Sequence, residues 1–162
     1  MTMYPILFNV RDPVVGKGFL AGVAVDGRAL MREEEDGYWI DGVFPGAVCA
    51  GGESRDEALL KFRQTYRMVL YDFAASAKSF EDFREKVERF FWEETPGEAE
   101  AWSEAAVALR RDRSKAGDWL PIKKRYPDPT IRVTLLEYQS LEPQANSEER
   151  VELAGDKAPM AA

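Results

Sequence analysis

The chain has 162 residues, 45% of them hydrophobic and 12% aromatic, which suits one domain with a real core and argues against wholesale disorder. It carries a net charge of −7, no histidine and a single cysteine, Cys49. Those totals exclude imidazole-dependent triads, Cys–His dyads, histidine zinc sites and an internal disulfide, and they disfavour a general nucleic-acid binder.

No apolar run approaches the ~20 residues of a membrane span, and no leader precedes the first strand-like segment. The expectation is a soluble cytoplasmic protein without cofactor or metal. In "YPILFNV" (4–10), Ile6, Phe8 and Val10 share one face, as in a half-buried strand. "RDPVVGKG" (11–18) reads as a turn, and Asp26-Gly27 as a tight hairpin between "FLAGVAV" and "RALMREEE". Asp36-Gly37 makes a second corner into "YWIDGVF". Short strands joined by short turns predict an antiparallel meander.

Helical spacing begins after Gly52. Ser54 with Glu57 fits a capping box, and Ala58, Leu59, Phe62, Tyr66, Val69, Leu70 and Phe73 form one apolar stripe over about five turns. A second helix is predicted from Ser79, with Phe80, Phe83, Val87, Phe90 and Phe91 on one face. A third is predicted from "TPGE", with Thr95 as cap, Pro96 as first residue and Glu98 as box partner, ending near Gly117. "PIKKRYPDPT" (121–130) has three prolines and must be irregular, after which "IRVTLLEY" (131–138) returns to a strand. Leu136 breaks its alternation, which predicts burial on both sides there. The fold class is therefore α+β: an antiparallel sheet, one long packed helix and two inserted helices before the last strand. One domain is expected over 1–141, with a helical insertion over 75–120 and a disordered tail over 142–162.

The run Asp36-Gly37, an aromatic strand from Tyr38, Pro45-Gly46, Cys49, Gly51-Gly52, Ser54 and Glu57-Ala58-Leu59 resembles the N-terminal domain of HicB-like antitoxins. That family runs strand, Pro-x-x-Gly-Cys, Gly-Asp-Thr/Ser, Glu-Glu-Ala and helix, and "DPTIRVTLLEY" (128–138) is similar to its last strand. The resemblance implies a partial RNase H-like fold and a non-enzymatic protein that neutralises a small basic ribonuclease toxin (HicA-like) of a toxin–antitoxin pair. Many relatives add a DNA-binding module, and none is expected in the residues given after Tyr138. A standalone interaction module without a toxin is the alternative.

Each candidate site has a plain reading beside it. Gly37, Pro45, Gly46, Cys49, Gly51, Gly52, Ser54 and Glu57 define the fold, with Cys49 expected as a small buried residue rather than a reactive thiol. Glu33, Glu34, Glu35, Asp36 and Asp41 are either an acidic patch for a basic partner or a solvated hairpin tip. Phe90, Phe91, Trp92 and Trp102 are either core or a homodimer surface. From Arg110 to Arg125, seven basic residues against Asp112 and Asp118 give a local +5, which leaves −12 on the rest. Trp119 and Tyr126 could stack bases there, but helix-end arginines and a lysine-rich loop explain the segment more simply. Asp41 and Asp72 are the acids considered for a metal nuclease, without a DxD or DxE strand motif to support them. "GVFPGAVCAGGES" lacks the lysine of a phosphate loop.

Overall fold

A computed structural model describes residues 2–115 and 117–138. The tail expected over 142–162 lies outside the described residues. In chain order the elements are β1 (Thr2–Gly16), β2 (Phe19–Glu34), β3 (Gly37–Phe44), β4 (Cys49–Gly52), α1 (Arg55–Ser76), α2 (Phe80–Trp92), α3 (Glu98–Arg111), a 3₁₀ turn (Arg113–Lys115) and β5 (Thr130–Tyr138). The class is α+β, as expected: an antiparallel five-stranded sheet in the order β1-β2-β3-β4, with β5 also paired to β2.

The strands are not all short. β2 is continuous through Asp26-Gly27, where a hairpin was expected, and it serves two neighbours in succession on one side. β5 pairs with it from Phe19 to Asp26 and β3 from Arg28 to Glu34. Gly27 lies at that handover because a Cβ there would collide with the Phe44 carbonyl and the Phe8 ring. Its use is close approach, not a turn. β1 likewise continues through the expected turn over 11–18, and the reversal is made at Lys17-Gly18, with Gly18 at φ 85°. An edge strand tolerates Pro13, since β1 has no second neighbour to bond among the described residues.

α1 and α2 cover the first face of the sheet. Ala58, Phe62, Tyr66, Leu70 and Ala74 follow one another at four-residue steps and are buried. Phe80, Phe83, Val87 and Phe91 extend that layer. They meet Ile6, Phe8, Val10, Ala21, Val23, Val25, Met31 and Ile40, with Phe8 edge-on to Phe62 at 5.0 Å. α3 covers part of the second face, where Trp102 and Ala106 join Leu30, Val43 and Tyr126. Ala29, Leu30 and Met31 are therefore all buried in succession, because β2 is covered on both sides there.

Ser54 caps α1 as expected: its Oγ accepts from the Glu57 N–H at 3.1 Å, and the Glu57 carboxylate accepts from the Glu53 N–H at 2.6 Å. Ser79 caps α2 in the same way, accepting from the Asp82 N–H at 3.1 Å. α3 departs from expectation. It starts at Glu98 behind Gly97, at φ 84°, with no side-chain cap. Thr95 instead donates to the Gly46 carbonyl at 3.1 Å, and Glu98 turns to Arg32, so both cap residues are drawn away by tertiary partners. The helix ends at Arg111 with Asp112 as C-cap, ahead of Gly117. At the far end of the sheet, Leu136 is 55% exposed, not buried on both sides. It is the extra residue of a bulge between Leu20 and Ala21, where Leu20 faces Glu137 and Ala21 faces Leu135.

Candidate functional site

The β2–β3 hairpin carries four of the five candidate acids. Glu33 and Glu34 end β2, Glu35 and Asp36 make the turn, and Gly37, at φ 145°, starts the return. All four acids are exposed, and with Thr2 they line a shallow concavity. They are not equivalent. The Glu33 carboxylate accepts from the Tyr4 hydroxyl at 2.9 Å and from the Tyr38 hydroxyl at 3.3 Å. Burial, reinforced by the Glu33 hydrogen bond and charge, pushes the Tyr4 phenol up to about 12. Glu33 is thus tied to two tyrosines, while Glu34, Glu35 and Asp36 have no such hold among the described residues and present the charge.

Asp41 behaves differently. It pairs with the Arg32 guanidinium, which also reaches Glu98 Oε1 at 3.4 Å. Arg32, Asp41 and Glu98 side chains are each only 18–25% exposed, so this triad is a half-buried brace between β2, β3 and α3. Asp41 is spent on internal pairing, which corrects its reading as a free contact residue. One cation shared by two carboxylates leaves the brace acidic.

The small-residue corner resolves into separate structural tasks. Cys49 is exposed, contrary to expectation, because Val48 takes the buried place and Cys49 follows it with the opposite orientation. The β3–β4 register sets Cys49 opposite Asp41. Pro45 is buried, and Gly46 sits beneath Thr95. Gly52 lies against the first turn of α1. Gly51 faces Trp39 in the register, and a Cβ there would strike the indole.

Trp39 is the residue that reading by motif overlooked. Its indole lies across Gly51 and remains 42% exposed. Ile40 is fully buried, so strand alternation alone turns Trp39 to the opposite face. That signal is present in "YWIDGVF" for anyone who phases it on Ile40. By the same alternation Trp39 shares its face with Arg32, Glu34, Asp41 and Cys49. An open aromatic surface is thereby set among carboxylates, the arrangement that favours a lysine or arginine over the ring.

The helical aromatics are largely accounted for by packing. Phe91 and Trp102 are 0% and 3% exposed and cannot form a dimer surface. Phe90 is half-buried against the Tyr66 and Phe73 rings. Trp92 alone of the four is open, and it still packs edge-on to Phe44 at 5.7 Å. In the basic segment, Tyr126 packs on Trp102 and Trp119 on Tyr4, with the Arg55 guanidinium over the Trp119 ring. Their faces are occupied, and the surrounding Arg111, Arg113, Lys123, Lys124 and Arg125 are exposed.

Asp41 lies on the second face of the sheet, whereas Asp72 is exposed on α1 over the first, so these two acids do not converge. Among the described residues no group of three or more His, Cys, Asp or Glu is placed to hold a metal ion, and no helix is long and apolar enough to cross a membrane. Comparison of the chain with family models, with curated proteins and with solved structures finds no match.

Proposed function

We propose that this protein is a non-enzymatic binding module that takes a small basic partner at the acidic end of its sheet, in the manner of a HicB-like antitoxin neutralising a basic ribonuclease toxin. The observation that supports this most is Trp39, open on its glycine and set on one face with Glu34 and the acidic brace, beside the exposed turn of Glu35 and Asp36. An acidic field draws a basic protein into encounter, and the ring then supplies contact area and a seat for a cationic side chain. The −12 carried outside residues 110–125 acts in the same direction at longer range.

The test is co-expression with any small basic protein found to be encoded beside the gene. Rescue from that protein's toxicity, with a stable complex of the two, supports the antitoxin reading. Binding without toxicity supports an interaction module of another kind, and an absence of both binding and rescue sinks the antitoxin reading.

A further inference from the structure

We propose that the free edge of β5 pairs antiparallel with the β5 edge of a second copy of this chain, joining the two sheets into one. The sheet treats its edges differently. On β1, Pro5 and Pro13 stand opposite Leu30 and Gly22. A proline has no N–H to give, so both belong where the backbone points away from β2. Two donors are thus missing from the β1 edge, and Arg63 covers a third position by donating to the Asn9 carbonyl at 2.6 Å. β4 is only four residues long. Both are familiar ways of blocking edge-to-edge pairing.

β5 has none of these guards. It is nine residues long, contains no proline, and pairs with β2 alone among the described residues. Its outward groups follow from the register. If Pro13 points away from β2, its opposite Gly22 turns its N–H and C=O toward β5, and Thr134, opposite Gly22, turns back toward β2. Ile131, Val133 and Leu135 then aim theirs at the free edge. The bulge at Leu136 shifts the phase, so that Tyr138 rejoins the outward set and Glu137 comes onto the same face as Arg132.

That phase shift makes the strand self-complementary. With Thr134 of one copy opposite Thr134 of the other, Val133 meets Leu135, the bulge absorbs Leu136, Arg132 stands opposite Glu137, and Ile131 meets Tyr138. Every outward residue faces an outward residue, and each Arg132 faces a carboxylate, twice by symmetry. Arg132 and Glu137 are both exposed, and neither has an ion-pair partner among the described residues. Leu136 and Tyr138, 55% and 65% exposed, flank the same edge. A second copy is the partner whose strand carries the matching charges in this order. The surface is distinct from the acidic end of the sheet, and the proposal does not depend on what binds there.

Sedimentation velocity over a concentration series tests it on the full chain. The wild type should sediment as a dimer. Arg132→Glu and Glu137→Arg, both at exposed positions, should each raise the dimer dissociation constant by roughly tenfold or more, and the double variant should restore it. Hydrogen exchange should protect the Ile131, Val133 and Leu135 amides in the dimer and release them on dilution. A wild type that stays monomeric throughout overturns the proposal. So does a dimer that the single variants leave unchanged, or one that the double variant fails to restore.

Discussion

Under α1 and α2 the sheet meets Phe62, Tyr66, Leu70, Phe83 and Phe91; under α3 it meets Trp102, Tyr126 and the guanidinium of Arg28. The first layer is apolar and closed. The second is mixed: Arg28 lies 4.2 Å over the Trp102 ring and donates to the Pro127 carbonyl, while Trp102 Nε1 donates to the Ile6 carbonyl at 3.3 Å. Beyond α3 the second face gives way to the Arg32 brace and the open Trp39. One side of the sheet is spent on stability, and the other leaves aromatic surface and charge exposed.

Substitutions on the two sides should separate these roles. Phe62→Ala removes a buried ring from the first layer and should cost about 3–5 kcal/mol, read as a fall in the denaturation midpoint at constant slope. Equal stability of that variant and the wild type would break the comparison. Tyr66→Phe should go the other way. The Tyr66 hydroxyl is buried with no hydrogen-bond partner among the described residues, so its removal should leave stability unchanged or raise it by about 1 kcal/mol. Trp39→Ala should change stability by no more than about 0.5 kcal/mol, yet abolish or sharply weaken capture of a basic partner.

Alkaline titration sharpens the contrast from another direction. Tyr4 keeps its proton to about pH 12 in the fold, whereas an unfolded tyrosine loses it near 10.0. Burial alone shifts Tyr66 the same way. Above pH 10 the unfolded chain therefore binds fewer protons than the native one, and stability should decline as pH rises from 10 toward 12. Tyr4→Phe should flatten the Tyr4 part of that decline, as urea titrations at successive pH values would show.

Local chemistry was the legible part of this fold. Ser54 and Ser79 cap their helices because an N-cap needs only residues three positions apart, and the α1 stripe reads off four-residue spacing. The misread positions all answered to distant neighbours. Asp26-Gly27 has a hairpin composition, but β3 and β5 meet end to end beside it and hold the strand straight. Pro13 resembles a turn residue until β1 is known to be an edge. Thr95 and Glu98 have the cap spacing, but Gly46 and Arg32 claim them. At the site, the acidic turn was visible as a charge run, whereas the pairing of Asp41 and the exposure of Cys49 depended on strand phase and on Arg32. Trp39 was legible in principle, through its alternation with Ile40.

The most direct test of the binding account is a low-salt pull-down in which tagged wild type is compared with Trp39→Ala and with a Glu34→Lys/Glu35→Lys variant, the bound species being identified by mass. The account predicts a small basic protein at near-equal stoichiometry on the wild type, displaced by salt and lost from both variants. Wild type with nothing basic bound, or a basic protein retained equally by all three, would contradict it.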